Sequence, residues 1–222
     1  MSTLVCTTHY MCVGGTLNGR PNHLFSDTSF VTRRSRVGED IVGDMMIWIN
    51  GTFGVGKTTA GQALVETQPG LRLFDPEAVG YMLMHSLKDQ AFSDFQDLPA
   101  WRALVPATAF EIRRHTGQHL VAVQTVLRQD YWAELKASFS ELDDQVVHIV
   151  LDADEATLRN RIENDQVELS GRQWRLDHLE KYAAARKWMI KEADLVIDTS
   201  RLAAEDVVSR IADAIRAELP VR

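Results

Sequence analysis

The chain has 222 residues, 25% of them charged, and a formal net charge of −7. That length suffices for one α/β domain with its own core. The acidic balance argues against nucleic acid as a partner, which needs clustered Lys and Arg, and no apolar run approaches the ~20 residues of a membrane helix.

Residues 1–44 are rich in Ser, Thr, Gly and Arg and lack a sustained hydrophobic period. They are expected to be a flexible N-terminal extension. Both cysteines, Cys6 and Cys12, fall in it. The remaining fold is therefore independent of disulfides, and a reducing cytoplasm is the expected location. The Cys6, His9, Cys12 and His23 spacing matches no common zinc pattern.

From Met45 onward strand-like and helix-like patterns alternate. MMIWIN is a short apolar strand before a Gly-rich turn, and TTAGQALVET has helical spacing. LRLF is a second strand and EAVGYMLMHSLKD a helix. After the polar stretch QAFSDFQDLP comes a longer helix, AWRALVPATAFEIRRHTG, in which Pro106 is a point for a kink. HLVAVQTVL is a third strand, YWAELKASFSEL a helix, VVHIVLDA a fourth strand and EATLRNRIEND a helix. A charged polar stretch follows, then a fifth strand, DLVIDTS, and the amphipathic helix AAEDVVSRIADAIRAEL. Short apolar strands separated by helices predict an α/β fold: a five-stranded, mostly parallel sheet with helices on both faces.

The first strand-to-helix turn reads INGTFGVGKTT. Gly51, Gly56, Lys57 and Thr58 satisfy G-x-x-x-x-G-K-[ST] in full. Glycines let the backbone wrap around phosphates with its N–H groups inward, and the helix N-terminus adds partial positive charge. Residues Gly51, Thr52, Phe53, Gly54, Val55, Gly56, Lys57, Thr58 and Thr59 are thus the expected ATP-binding segment. Lys57 is expected at the β- and γ-phosphates, with the Thr58 hydroxyl on Mg²⁺. Gly54 makes the loop G-x-x-G-x-G-K-T, which resembles the small-molecule and nucleotide kinase branch of P-loop proteins.

Three further features bear on the chemistry. Asp75 ends the second strand, where it can accept a proton from an attacking hydroxyl or help hold Mg²⁺; capping the next helix is the alternative, and both can hold at once. The stretch from Arg161 through Arg172, Arg175, Arg186 and Lys187 resembles a kinase lid, whose arginines offset charge on the transferring phosphoryl group. A charged, solvated helix is the plainer reading. Thr199 and Ser200, after the last strand, either contact adenine or cap the final helix. Asp152 resembles a Mg²⁺-binding strand-end acid, but acidic residues opening a helix are ordinary capping. Gln124 and Thr125 follow the third strand, where they can contact an acceptor.

IWINGTFGVGKTT, FDPEAVGYML and DFQDLPAWRAL together resemble the tunicamycin-resistance protein family, over about residues 45–200. The resemblance implies a P-loop, nucleotide-kinase-like fold with a lid and a cytoplasmic ATP- and Mg²⁺-dependent protein. It implies a small-molecule partner, a nucleoside-like antibiotic such as tunicamycin, that is phosphorylated or only sequestered. A housekeeping nucleoside or nucleotide kinase is a further alternative. Asp75 would sit by the acceptor, and Trp101 and Arg102 would stack on it and pair with phosphate; core packing is the alternative for Trp101. The expected catalytic set is Lys57, Asp75 and Arg161.

Overall fold

The computed structural model describes residues 45–142, 145–166 and 171–218. The expected N-terminal extension, with its Cys and His residues, lies outside them.

Five strands form one sheet: β1 (Met45–Asn50), β2 (Leu71–Phe74), β3 (His119–Val123), β4 (Gln145–Asp152) and β5 (Leu195–Asp198). Their spatial order is β2-β3-β1-β4-β5. All four pairings are parallel, so the sheet is wholly parallel where a mostly parallel one was expected.

Helices cover both faces: α1 (Lys57–Thr67), α2 (Pro76–Ser86), α3 (Pro99–Thr116), α4 (Gln129–Glu141), α5 (Glu155–Glu163), α6 (Arg172–Lys191) and α7 (Ala204–Glu218). β1 shows why the chain folds this way. Successive side chains of a strand point to opposite faces. Met45, Ile47 and Ile49 enter one core with residues of α1, α5, α6 and α7. Met46 and Trp48 enter the other with residues of α2, α3 and α4. In that second core Trp48 packs on Trp132 at 5.5 Å and on Phe139 at 6.2 Å between ring centroids.

Two elements differ from expectation, and α3 is the single helix expected. β3 stops at Val123, because the following residues leave the ladder: Val126 N–H donates to Asn50 Oδ1 at 3.0 Å and the Thr125 hydroxyl to the Gly51 carbonyl at 2.8 Å. α3 runs through Pro106 without a break. The charged stretch after α5 contains a twenty-residue helix, α6. Its buried positions, Arg175, His178, Leu179, Tyr182, Ala185 and Met189, recur every three or four residues. Among the described residues no helix is long and apolar enough to cross a membrane.

The strand order matters for the site. From β1 the chain moves to β2 on one side, and after β3 it crosses to β4 on the other. The reversal puts the carboxyl end of β1 at the switch point where open α/β sheets bind ligands.

Candidate active site

The loop after β1 occupies that point. Gly51, Gly54 and Gly56 have φ of 141°, 77° and 98°, a region that favours glycine. Packing adds a constraint at Gly51, where a Cβ would lie 2.5 Å from the Leu151 carbonyl oxygen of β4. At Gly54 a Cβ would lie 3.1 Å from both Ile162 and the Leu158 carbonyl, so this glycine brings the loop against α5.

Asn50 braces the loop from behind. Its Oδ1 accepts from Gly51 N–H at 2.8 Å and from Val126 N–H, and its Nδ2 donates to the Val126 carbonyl at 3.2 Å. Nδ2 also lies 3.3 Å from His148 Nε2. The other ring nitrogen of His148 meets the Glu192 carbonyl at 3.0 Å. Because that oxygen only accepts, Nδ1 carries the proton and Nε2 receives the Asn50 amide. Burial lowers the His148 pKa, which keeps this buried ring neutral. Neither residue was singled out from the sequence. The signal was a polar residue ending an otherwise apolar strand.

Inside the loop, the Lys57 ammonium donates to the Thr52 carbonyl at 2.9 Å and lies 5.5 Å from the centre of the Phe53 ring. The side chain keeps partial surface access, yet its charged end is deep enough that desolvation lowers its pKa to about 8, partly offset by Glu77. That coupling sets Glu77, in the first turn of α2, within electrostatic reach of Lys57. Glu77, also missed in the sequence, accepts from the Tyr81 hydroxyl at 3.1 Å. Asp75 is exposed and caps α2, accepting from Glu77 N–H at 2.9 Å.

The loop fits a polyphosphate. α1 starts at Gly56 with no side-chain cap and no acidic residue in its first turn, so its leading N–H groups face outward as anion donors. The Thr52 hydroxyl is buried without a partner among the described residues. Thr58 and Thr59 are exposed on the first turn, where the Thr58 hydroxyl could hold Mg²⁺.

Arg161 of α5 reaches back over this loop. Its guanidinium donates to the Gly54 carbonyl at 3.3 Å, to Thr199 Oγ1 at 3.0 Å and to the Thr199 carbonyl at 2.7 Å. Thr199 itself is buried. Its hydroxyl faces the Val55 and Asp152 carbonyls at 3.2 Å each, so it anchors the loop and is not presented to a base. Ser200 is tied to the start of α5, its hydroxyl accepting from Asp154 N–H at 3.0 Å.

Several expected contacts are taken up by structure. Trp101 is fully buried and donates its indole N–H to the Pro76 carbonyl at 3.0 Å; it is a core residue and cannot stack on a ligand here. Arg102 is buried over the Tyr131 ring, paired with Glu134 at 2.6 Å and donating to the Gln96 carbonyl at 2.5 Å. It ties α3 to the preceding turn and α4, its guanidinium taken up by protein partners. The Thr125 hydroxyl is spent on the loop. Gln124 is buried beside it, with Oε1 unpartnered among the described residues. Arg175 is buried in an ion pair with Asp165 at 2.6 Å, and Arg172 donates to the Asp165 carbonyl at 3.2 Å. Both secure the base of α6 in this conformation and do not extend over the phosphate loop. Asp152 is gripped by Tyr182 at 2.6 Å and by Arg186 at 2.5 Å, leaving a neutralised carboxylate at the end of β4.

The chain matches the AAA domain family over residues 46–167, more than half its length. Comparison with curated protein sequences gives no match. Among solved structures it is similar to the tunicamycin resistance protein of Deinococcus radiodurans, at 25% identity and a TM-score of 0.60, over 80% of this chain and 98% of that one. A sugar kinase from Janibacter sp. superposes with a TM-score of 0.56 at 16% identity, over 78% of this chain and 95% of that one. A shikimate kinase from Bacteroides thetaiotaomicron superposes with a TM-score of 0.54 at 14% identity, over 78% and 98%. With its glycine-bound phosphate loop at the switch point of a five-stranded parallel sheet, the chain belongs to the AAA domain family and has a P-loop kinase-like fold.

Proposed function

We propose that the protein is an ATP-dependent phosphotransferase acting on a small hydroxyl-bearing molecule, with a nucleoside-like antibiotic such as tunicamycin as the leading acceptor. The observation that carries this reading is the glycine-built phosphate loop bearing Lys57 at the switch point of the sheet, with Glu77 at the start of α2 in electrostatic reach of the ammonium. A phosphoryl-transfer site needs cationic stabilisation facing an acceptor-orienting carboxylate. The likeness to the tunicamycin resistance protein, over nearly all of that chain, supports the choice of acceptor.

In this reading the loop N–H groups from Gly51 to Thr58 and the start of α1 hold the triphosphate. Thr58 would hold Mg²⁺, which offsets charge on the ATP phosphates when bound. Lys57 faces the β- and γ-phosphates. Arg161, set between Gly54 and Thr199, braces the nucleotide side of the loop. Asp75 orients the acceptor hydroxyl and takes its proton, while Glu77 acts on Lys57 electrostatically. The acceptor oxygen forms the new bond to the γ-phosphorus, and the bond from that phosphorus to the β–γ bridging oxygen breaks. ADP departs with that electron pair.

Incubating the protein with ATP, Mg²⁺ and tunicamycin, then weighing the drug by mass spectrometry, tests this directly. A mass gain of one phosphate is expected. Drug of unchanged mass, retained by the protein only with ATP present, would replace transfer by sequestration.

A further inference from the structure

An aromatic cluster stands beside the phosphate loop with no part in the roles above. Phe53, within the loop, packs edge-on against Trp174 at 4.9 Å and His178 at 5.5 Å between ring centroids. Trp174 and His178, one turn apart on α6, lie 4.0 Å from each other. The Lys57 ammonium is 5.5 Å from the same Phe53 ring. The cluster therefore adjoins the Lys57 ammonium.

Its polarity is arranged inward. His178 Nδ1 meets the Trp174 carbonyl at 2.7 Å, and a carbonyl only accepts, so Nδ1 bears the proton. Nε2 is then the acceptor facing the Lys181 ammonium at 3.5 Å. Both nitrogens are spent within α6, and burial holds the imidazole pKa down. The ring faces remain. His178 is buried, but Trp174 leaves 47% of its surface exposed. A large exposed indole packed on a buried His178 and a half-buried Phe53 is a rigid apolar platform, unlike a solvated surface tryptophan.

A half-buried carboxylate lies within electrostatic reach of the same cluster. Asp94 caps the short 3-10 turn Phe95–Asp97 through Gln96 N–H at 2.9 Å. It is half-buried and within electrostatic reach of both His178 and Lys181. Its second oxygen is an acceptor for ligand hydroxyls. An apolar face with a few placed polar groups beside it is the usual form of a small-molecule subsite.

We propose that Trp174, backed by His178 and Phe53, forms the ring subsite of the acceptor together with the nearby Asp94, binding a hydroxylated sugar ring of a nucleoside or hexose. The apolar face of the ring lies on the indole, and its hydroxyls donate to Asp94. This deepens the phosphotransfer reading, on which it rests only in placing the acceptor beside Lys57.

The test measures binding, so it does not depend on turnover. The full chain is loaded with Mg²⁺ and a non-hydrolysable ATP analogue and titrated calorimetrically with tunicamycin, uridine and glucose. Wild type is expected to bind at least one of them. Trp174→Ala should weaken that ligand roughly tenfold, and Trp174→Phe should restore most of the loss. Asp94→Asn keeps the turn cap and should also weaken binding roughly tenfold. Affinity for the ATP analogue should stay within about twofold in all three variants. The inference is overturned if wild type binds none of the three probes or if Trp174→Ala binds as wild type. It also falls if that variant weakens analogue and acceptor alike, the mark of a merely structural role. A probe that binds here yet keeps its mass with ATP sinks phosphotransfer and leaves the subsite standing.

Discussion

Arg161 and Thr199 are joined twice, Nη1 to the threonine hydroxyl at 3.0 Å and Nη2 to its carbonyl at 2.7 Å. The same Nη1 reaches Gly54 at 3.3 Å, so one guanidinium ties α5 to the phosphate loop and to the segment after β5. Arg161→Ala is expected to weaken ATP-analogue binding about tenfold by calorimetry. Arg161→Lys should recover little, because an ammonium cannot serve three acceptors spread over a planar fork. Wild-type affinity in Arg161→Ala would remove the residue from the nucleotide site.

Asp75 has two possible roles that one substitution separates. Asn caps a helix as well as Asp does, so Asp75→Asn should leave the thermal midpoint and ATP binding close to wild type. Loss of the proton acceptor should cut transfer about 100-fold or more. Glu77→Gln is the companion experiment. If Glu77→Gln abolishes transfer while Asp75→Asn is fully active, the two carboxylates exchange roles.

Lys57 makes nucleotide affinity depend on pH in a stated direction. Burial lowers its pKa to about 8 in the free protein, whereas bound phosphate favours the charged form. Below that value the ammonium is already protonated and binding is insensitive to pH. Above it, binding must take up a proton, so affinity falls by up to about tenfold per pH unit. Calorimetry at about pH 7 and about pH 9 should show a weakening of roughly tenfold. A flat profile would mean that the ammonium does not meet the phosphates.

His148 governs stability on the acid side. Its folded pKa lies below the usual 6.5, chiefly through burial, with Lys136 adding to the shift and the Glu192 carbonyl and the charges of Asp194 and Glu192 opposing it. The unfolded chain therefore binds a proton first as pH falls. Stability is full above about 6.5 and is lost progressively below it. Protonation would also turn Nε2 from acceptor to donor against the Asn50 amide. Urea midpoints should drop between about pH 7.5 and about pH 5.5, and His148→Gln should flatten that part of the profile. An equal drop in the variant would assign the acid loss to other groups.

The fold was legible where local pattern and tertiary demand agree. β1 is apolar on both faces, as a central parallel strand must be, and its glycine turn occurs where the sheet needs a ligand-facing loop. α6 was obscured because its buried face includes Arg175 and His178, polar types that break an apolar count while packing as core. The ligand-side residues were least legible. Trp101 and Arg102 stand in a distinctive stretch, yet distinctive composition does not say which way a side chain points. Trp101 found a carbonyl partner inside and Arg102 a carboxylate, and both serve the packing of α3. Asn50 and Glu77 carry the reverse lesson, since their importance lies in partners 76 and 20 residues away, Val126 and Lys57, a separation sequence spacing cannot express.

The bare start of α1 has a consequence for the protein as a folded object. α2 and α5 finish their first turns with residues of their own, Asp75 and Asp154. α1 begins on Gly56 with no such residue, so its leading N–H groups are open to an acceptor from outside the chain. Occupancy and local order are then one equilibrium. A saturating polyphosphate at 100 times its Kd adds about 2.7 kcal/mol to global stability, and its removal should loosen the first turn of α1 before the rest of the sheet.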